Sequence, residues 1–363
     1  MRSLLLLSLL LVACSAAPDA APPPEPATEA PTPAEPPTPA LPDPVVDLHL
    51  DTVTQLIEQK VTWDSSKLEA ALPSLEAGGV NVVVQACWIP RGAKNPLGIA
   101  KRKINAIRNM VQASDGKAAV VRGPGQLEAV LRDGRMAVII ALEGGTALEN
   151  GAESLRELHD LGVAMVGLTW TESSAWADSS AEPRPGDASG LTAGGRELVA
   201  LANDLGVMLD VSHMSDRATE QTIALSRAPV LASHSNARAL ADVPRNLPAP
   251  LLTALADKGG LVGAMFHGPF VVTGRTARRE DVVAQVVHLV EAVGAEHVGL
   301  GSDWDGVIQS PQGLDRAARM ADLRAELGEQ LTAEQLRQVQ GASFLRFWRA
   351  VEAARAPAGR PPG

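Results

Sequence analysis

Between Pro44 and about Val351, short apolar runs alternate with amphipathic stretches. The runs cover residues 45–48, 80–86, 136–142, 164–168, 207–211, 230–232, 260–266 and 298–301, mostly Val, Ile and Leu, bounded by Gly, Asp or Pro. Periodicity alone cannot separate buried strand from buried helix at this length, but brevity and β-branching favour strand. Most gaps hold a helical pattern, as in residues 215–226, and Thr332-Ala-Glu-Gln335 reads as a capping box opening the last helix. Eight runs over about 300 residues, each followed by a crossover, predict an α/β fold of the (β/α)8 TIM-like barrel type. An open doubly wound sheet is the rival architecture.

The ends of the chain read differently. Met1-Arg2 precedes an apolar run over residues 3–13, about half the ~20 residues a spanning helix needs and suited to a signal sequence. It closes in Leu11-Val12-Ala13-Cys14, which resembles the bacterial lipobox. That resemblance implies a signal peptide over 1–14, lipidation at Cys14, and an exported, membrane-anchored lipoprotein facing the periplasm or cell exterior. Ser15, where an aspartate would favour inner-membrane retention, leans towards the outer membrane. Residues 15–43 form a Pro/Ala-rich linker, which cannot bury a core. The barrel is assigned to 44–352 and an unstructured tail to 353–363.

Composition removes several classes. A formal charge of −10 argues against nucleic acid as a partner, since phosphate neutralisation needs a basic face. With no tyrosine, that side chain is excluded as acid, base or donor. Two cysteines are too few for a disulfide framework, and Cys87, in a strand pattern, reads as a buried free thiol.

In a barrel of this kind the site lies at the C-terminal ends of the strands. The first run ends in Asp47-Leu-His49-Leu-Asp51, the third in Glu143-Gly-Gly145, the fifth in Asp210-Val-Ser-His213, the sixth in Ala232-Ser-His234-Ser-Asn236 and the eighth in Gly301-Ser-Asp303-Trp-Asp305-Gly306. Strand alternation sets His49 and Asp51 on one face, and Asp303 and Asp305 likewise. Each stretch alone has a bland reading, as a satisfied polar residue or a turn. Together they gather three imidazoles and three carboxylates at one mouth, and burying six such groups without a metal carries a large desolvation penalty. A metal site is the better reading.

At this point the chain resembles the membrane (renal) dipeptidase family, zinc peptidases of the amidohydrolase superfamily. The resemblance is carried by the stretches above together with Ala175-Trp-Ala-Asp-Ser179, Val211-Ser-His-Met-Ser-Asp216, Ser233-His-Ser-Asn-Ala-Arg238 and Pro244-Arg-Asn-Leu247, in order from about residue 44 to 350. It implies two zinc ions per chain: His49 and Asp51 on one, His213 and His234 on the other, Glu143 bridging both. It also implies that Asp303 moves the proton of a water shared by the two metals, and that Arg245 binds the substrate's terminal carboxylate. The implied reaction is hydrolysis of a dipeptide's single peptide bond. No lysine occurs between Lys117 and Lys258, so the third to sixth strands offer no carboxylated lysine as a bridge.

Two positions depart from the family pattern. Leu168-Thr169-Trp170 stands where a Leu-Thr-His context carries a substrate-facing histidine, and an indole N–H is only a neutral donor. Met265-Phe266-His267 stands where Asn-Phe-Tyr is usual, so His267 either replaces a lost donor or is a plain rim histidine. Trp170 and His267 therefore join Arg245 as substrate-binding candidates. The segment 172–190 is long for a barrel loop, either covering the site or a surface insertion. The expected partners are a dipeptide and the lipid anchor, with a homodimer left open. Two other functions stay open: an amidase or lactonase on the same metals with a non-peptide substrate, and a non-catalytic peptide-binding lipoprotein.

Overall fold

Val, Ile and Leu dominate both faces of the strands because both faces of each strand are buried. In the computed structural model, which describes residues 41–148, 150–306 and 308–355, all eight positions of Met136–Glu143 are buried. Among the described residues nine strands form: β1 (Val46–Leu50), β2 (Val82–Trp88), β3 (Ala118–Val120), β4 (Met136–Glu143), β5 (Val163–Gly167), β6 (Met208–Asp210), β7 (Leu231–Ala232), β8 (Leu261–Met265) and β9 (Val298–Gly301). Eight of them pair in parallel in the order β1-β2-β4-β5-β6-β7-β8-β9, and β3 pairs with β4 outside that path. Between the two ends of the order, Asp303 N–H donates to the His49 carbonyl and Asp51 N–H to the Trp304 carbonyl, each at 3.0 Å. This closes a (β/α)8 barrel and excludes the open doubly wound sheet.

Each of the eight runs overlaps one barrel strand, with ends shifted by no more than two residues. The additional strand, β3, is three residues long and has one neighbour, too short to leave a pattern. Period-two alternation divides the apolar side chains between two cores: Val82 and Val84 join Val46, Leu48 and Leu261, while Val83 and Cys87 join the helix residues Ile104 and Ile107. The helix Pro96–Gln112 buries Ala100, Lys103, Ile104, Ile107 and Met110, one stripe at helical spacing. Ser215 caps the helix Asp216–Leu225, its hydroxyl accepting from Ala218 N–H at 3.1 Å.

The capping box at Thr332 forms, but it opens the helix Ala333–Arg337 and not the last one. The helical path breaks at Gly341, where a Cβ would come within 2.5 Å of the Pro44 carbonyl oxygen, and the last helix is Ser343–Ala353. The chain entering β1 thus passes too close for an uninterrupted helix of larger residues. Cys87 is a buried free thiol whose pKa burial pushes up to about 12. Cys14, the signal-peptide assignment and all but the end of the linker assignment lie outside the described residues. Among the described residues no helix is long and apolar enough to cross a membrane.

Candidate metal centre

The six chemically active side chains meet at the C-terminal end of the barrel. His49 lies in β1, and Asp51 follows it as the N-cap of the helix Thr52–Gln59. Glu143 is the last residue of β4. His213, His234 and Asp303 follow β6, β7 and β9, and His213 and Asp303 adopt left-handed backbone (φ 68° and 67°). Such a conformation is costly for a non-glycine residue and recurs where surrounding structure holds a functional side chain in place.

Glu143 sits at the middle. Its Oε1 lies 3.1 Å from His213 Nε2, 3.5 Å from His49 Nε2 and 3.7 Å from His234 Nε2. Two triads of ligand atoms, His49/Asp51/Glu143 and Glu143/His213/His234, share that carboxylate, each within 4.8 Å. A third grouping, His49/His234/Asp303, spans the two. His213 Nε2 and His234 Nε2 are 3.0 Å apart, near the ~3.3 Å that two nitrogens at 2.0–2.1 Å from one tetrahedral zinc would show. His49 Nε2 is buried with no hydrogen-bond partner. A lone pair so placed suits a metal ligand, and the donor set fits two zinc ions.

The imidazoles are aimed from behind by Ser233. Its Oγ lies 2.5 Å from Asp210 Oδ2, 2.7 Å from His234 Nδ1 and 3.3 Å from His49 Nδ1. A hydroxyl has one hydrogen, and the carboxylate is its strongest acceptor, so the oxygen is left to accept from both Nδ1–H groups. Both Nε2 lone pairs then point at Glu143, the tautomer a metal requires. Asp47 anchors the neighbouring backbone, accepting from Ser302 N–H at 3.0 Å and Ser302 Oγ–H at 2.6 Å.

Electrostatically the cluster lacks positive charge. Burial and the Glu143 charge push Asp51 well above the usual carboxylate range. Burial and Glu143, partly offset by His49, raise Asp303 to about 6. Burial alone would raise Glu143, but His49 and His213 hold it well below its ordinary value. Burial and the Arg245 charge lower His213 to about 4, and burial and His49 lower His234. His49 goes the other way, to about 10, because Glu143, Asp51 and Asp303 outweigh its burial. A divalent cation would relieve the crowded carboxylates and leave the imidazoles neutral, as ligands must be.

Asp305 does not share the face of Asp303. Its Oδ2 accepts from Thr52 Oγ–H (2.8 Å) and its Oδ1 from Glu69 N–H (2.7 Å), so it ties the loop before residue 70 to the barrel rim. Alternation fails because both aspartates have positive φ (67° and 65°), and the chain is no longer extended. Gly306 follows, where an added Cβ would be 2.9 Å from both Asp303 Oδ1 and Asp51 Oδ2. The carboxylates need that space.

A cavity of about 340 Å³ opens above the centre, lined among others by Asp51, Glu143, His213 and Asp303. Trp170 and His267 line it. His267 Nδ1 accepts from Gln309 N–H (3.1 Å), which leaves the ring proton on Nε2 as a donor. Arg245 stands behind the cavity wall: its amino groups donate to Ser235 Oγ (2.7 Å) and the His234 carbonyl (2.8 Å), while burial lowers its pKa to about 10. The 172–190 segment does little to line the cavity. It clamps the left-handed turn at His213, with Ser180 N–H donating to the His213 carbonyl (2.8 Å) and Ser215 N–H to that of Asp178 (2.9 Å). The sequence reading quoted Asp210 and Ser233 within motifs but gave neither an orienting role, and it missed Trp88, which lines the cavity.

A family model described as membrane dipeptidase (peptidase family M19) matches residues 42–361. Dipeptidase 3 of Rattus norvegicus is 31% identical over 325 residues, 86% of this chain; the chain spans 66% of that relative's length. Among solved structures, dipeptidase AC, a metallopeptidase of family M19, matches with a TM-score of 0.79 at 27% identity, over 85% of this chain and 98% of that one. A metallopeptidase from Rhodobacter sphaeroides, holding a phosphinate mimic of the dipeptide L-Ala-D-Ala, matches with a TM-score of 0.78 at 25% identity, over 85% and 99% of the two chains.

Proposed function

The chain belongs to the membrane dipeptidase family, and on that premise we propose that it is a zinc-dependent dipeptidase with two ions per chain. The observation that carries this reading is the pair of ligand triads sharing Glu143 beneath the cavity. At about 340 Å³ that cavity lies at the small end of ligand sites, which run from about 300 to 1,000 Å³, and suits a dipeptide better than a longer chain. When bound, the two ions supply an acidified water and polarise the scissile carbonyl. His49 and Asp51 would hold one ion, His213 and His234 the other, and Glu143 would serve both.

Asp303 takes the proton of the attacking water and passes it to the leaving amine. Its carboxylate lines the cavity and lies 3.9 Å from His49 Nε2, close enough to the metal ligands to exchange a proton with a water held between them. Arg245 attracts the substrate's terminal carboxylate, and His267 Nε2–H supplies a neutral donor at the rim. The protein is anchored to the membrane as an exported lipoprotein through Cys14.

A panel of dipeptides, assayed on metal-analysed protein with and without chelator, tests the activity. Turnover that chelator abolishes and zinc restores supports the reading. Hydrolysis of amides or lactones alone would favour the other substrate class, and binding without turnover at full zinc loading would favour a peptide-capturing protein. Mass analysis of the mature N-terminus tests the anchor, and an unmodified end away from Cys14 would overturn it.

A further inference from the structure

Three indoles serve the fold in an ordinary way. Trp63, Trp176 and Trp304 are buried and donate to the carbonyls of Ala70, Gly145 and Leu314. Trp88 and Trp170 are different: both are half-buried, and both line the cavity above the metal centre. Their ring centroids are 4.7 Å apart at 54°, and Trp170 lies 6.3 Å from the His213 ring. Trp88 is also held from the helix layer. The buried Lys103 places its ammonium 5.8 Å from the Trp88 ring centroid and donates to Thr54 Oγ1 at 2.7 Å. A cation at that distance favours a fixed ring.

The position of this pair around the barrel gives it a side of the substrate. Trp88 ends the second barrel strand and is paired in register with Glu143 on the third; Trp170 follows the fourth. Arg245 is bonded to residues that follow the sixth strand, and His267 follows the seventh. In a ring of eight, the second strand faces the sixth. A dipeptide whose carboxylate is drawn towards Arg245, with its peptide bond over Glu143, therefore turns its amino-terminal residue to the two indoles.

We propose that Trp88 and Trp170 form a side-chain subsite that selects an apolar, preferably aromatic, residue on the amino side of the scissile bond. This rests on the dipeptidase reading above. Offset aromatic pairs at 4.5–7 Å present a rigid apolar face to a third ring, and little side-chain freedom is left to lose. A hydrophobic subsite of this kind discriminates by about 10- to 200-fold between side chains that differ in apolar size.

The test uses the zinc-loaded protein and two dipeptide series, X-Ala and Ala-X, with X as Gly, Ala, Leu and Phe. The expected result is a kcat/KM for Phe-Ala at least about 10-fold above that for Gly-Ala, with a smaller spread across Ala-X. In Trp170→Ala the Phe-Ala to Gly-Ala ratio collapses towards one, whichever way the absolute rates move, and in Trp170→Phe most of it returns. Calorimetric binding of phosphinate mimics of Phe-Ala and Gly-Ala supplies a readout independent of turnover, in which the benzyl mimic binds the wild type more tightly and Trp170→Ala does not distinguish the two. A wild type that hydrolyses both series without preference, or that prefers by the carboxyl-side residue alone, overturns the subsite. A ratio that survives in Trp170→Ala does the same. A wild type that hydrolyses no dipeptide but binds the benzyl mimic selectively overturns the dipeptidase reading and keeps the subsite.

Discussion

Asp303 gives its backbone N–H to the carbonyl oxygen of His49 at 3.0 Å, so one hydrogen bond that closes the barrel also sets a proton-transfer candidate beside a metal-ligand candidate. The two side chains come to 3.9 Å, Oδ1 to Nε2. Asp303→Asn keeps the size and the backbone bond but cannot take a proton. Turnover should fall about 100- to 10,000-fold, the range typical of a general acid–base group, with zinc content nearly unchanged. Steady-state kinetics beside metal analysis decides it.

Asp305→Asn is the contrasting variant. Its carboxylate receives Thr52 and Glu69 donors, so the change should cost about 1–3 kcal/mol in denaturant stability. Turnover per folded molecule should stay within about tenfold of wild type, well short of the loss an acid–base group shows. If Asp305→Asn abolishes turnover and Asp303→Asn does not, the two roles are reversed.

Glu143→Gln should disturb both ions, because one oxygen serves both triads. His234→Ala should weaken mainly one. Metal analysis of the two purified variants separates them, and two ions retained by Glu143→Gln would sink the bridge.

Ser233→Ala removes the hydroxyl between Asp210 and two imidazole Nδ1 atoms without touching a ligand atom. Loss of such an orienting partner typically weakens metal affinity about 10- to 100-fold. Competition against a chelator of known affinity measures it. An unchanged zinc affinity would mean that the hydroxyl does not set the tautomers.

Stripping the metal should also lower the melting temperature. Asp51, Glu143 and Asp303 crowd one site, and a ligand present at about 100 times its Kd stabilises by about 2.7 kcal/mol. Scanning calorimetry with and without chelator reads the shift, and equal melting temperatures would argue against resident ions.

The barrel was legible in the sequence because doubly buried parallel strands leave short runs rich in Val, Ile and Leu, five of the eight ending where a chemically active residue stands. The grouping of His49, Asp51, Glu143, His213, His234 and Asp303 followed from counting strand ends, and the division into ligands and a proton carrier from the family resemblance. Asp305 was misjudged because alternation holds only while the chain is extended, and residues 303 and 305 have left-handed backbone. Trp88 was hidden by its context, since Val-Gln-Ala-Cys-Trp draws notice to the thiol. The Ser233 hub was invisible for another reason: it depends on how β1, β6 and β7 approach one another, which no local pattern encodes.

The seam between β1 and β9 ties the beginning of the folded unit to a strand synthesised about 250 residues later, a span whose closure is slow to find. Until that strand arrives, a growing chain carries His49 and Asp51 with neither Asp303 nor the backbone bonds that hold them. Ligands so widely scattered bind metal poorly before the fold gathers them. The centre is therefore a property of the finished molecule, and a chain cut short before residue 303 has no partly working version of it. Acquisition of metal would then double as a certificate of completed assembly, and the proposed hydrolysis would be withheld from every unfinished copy.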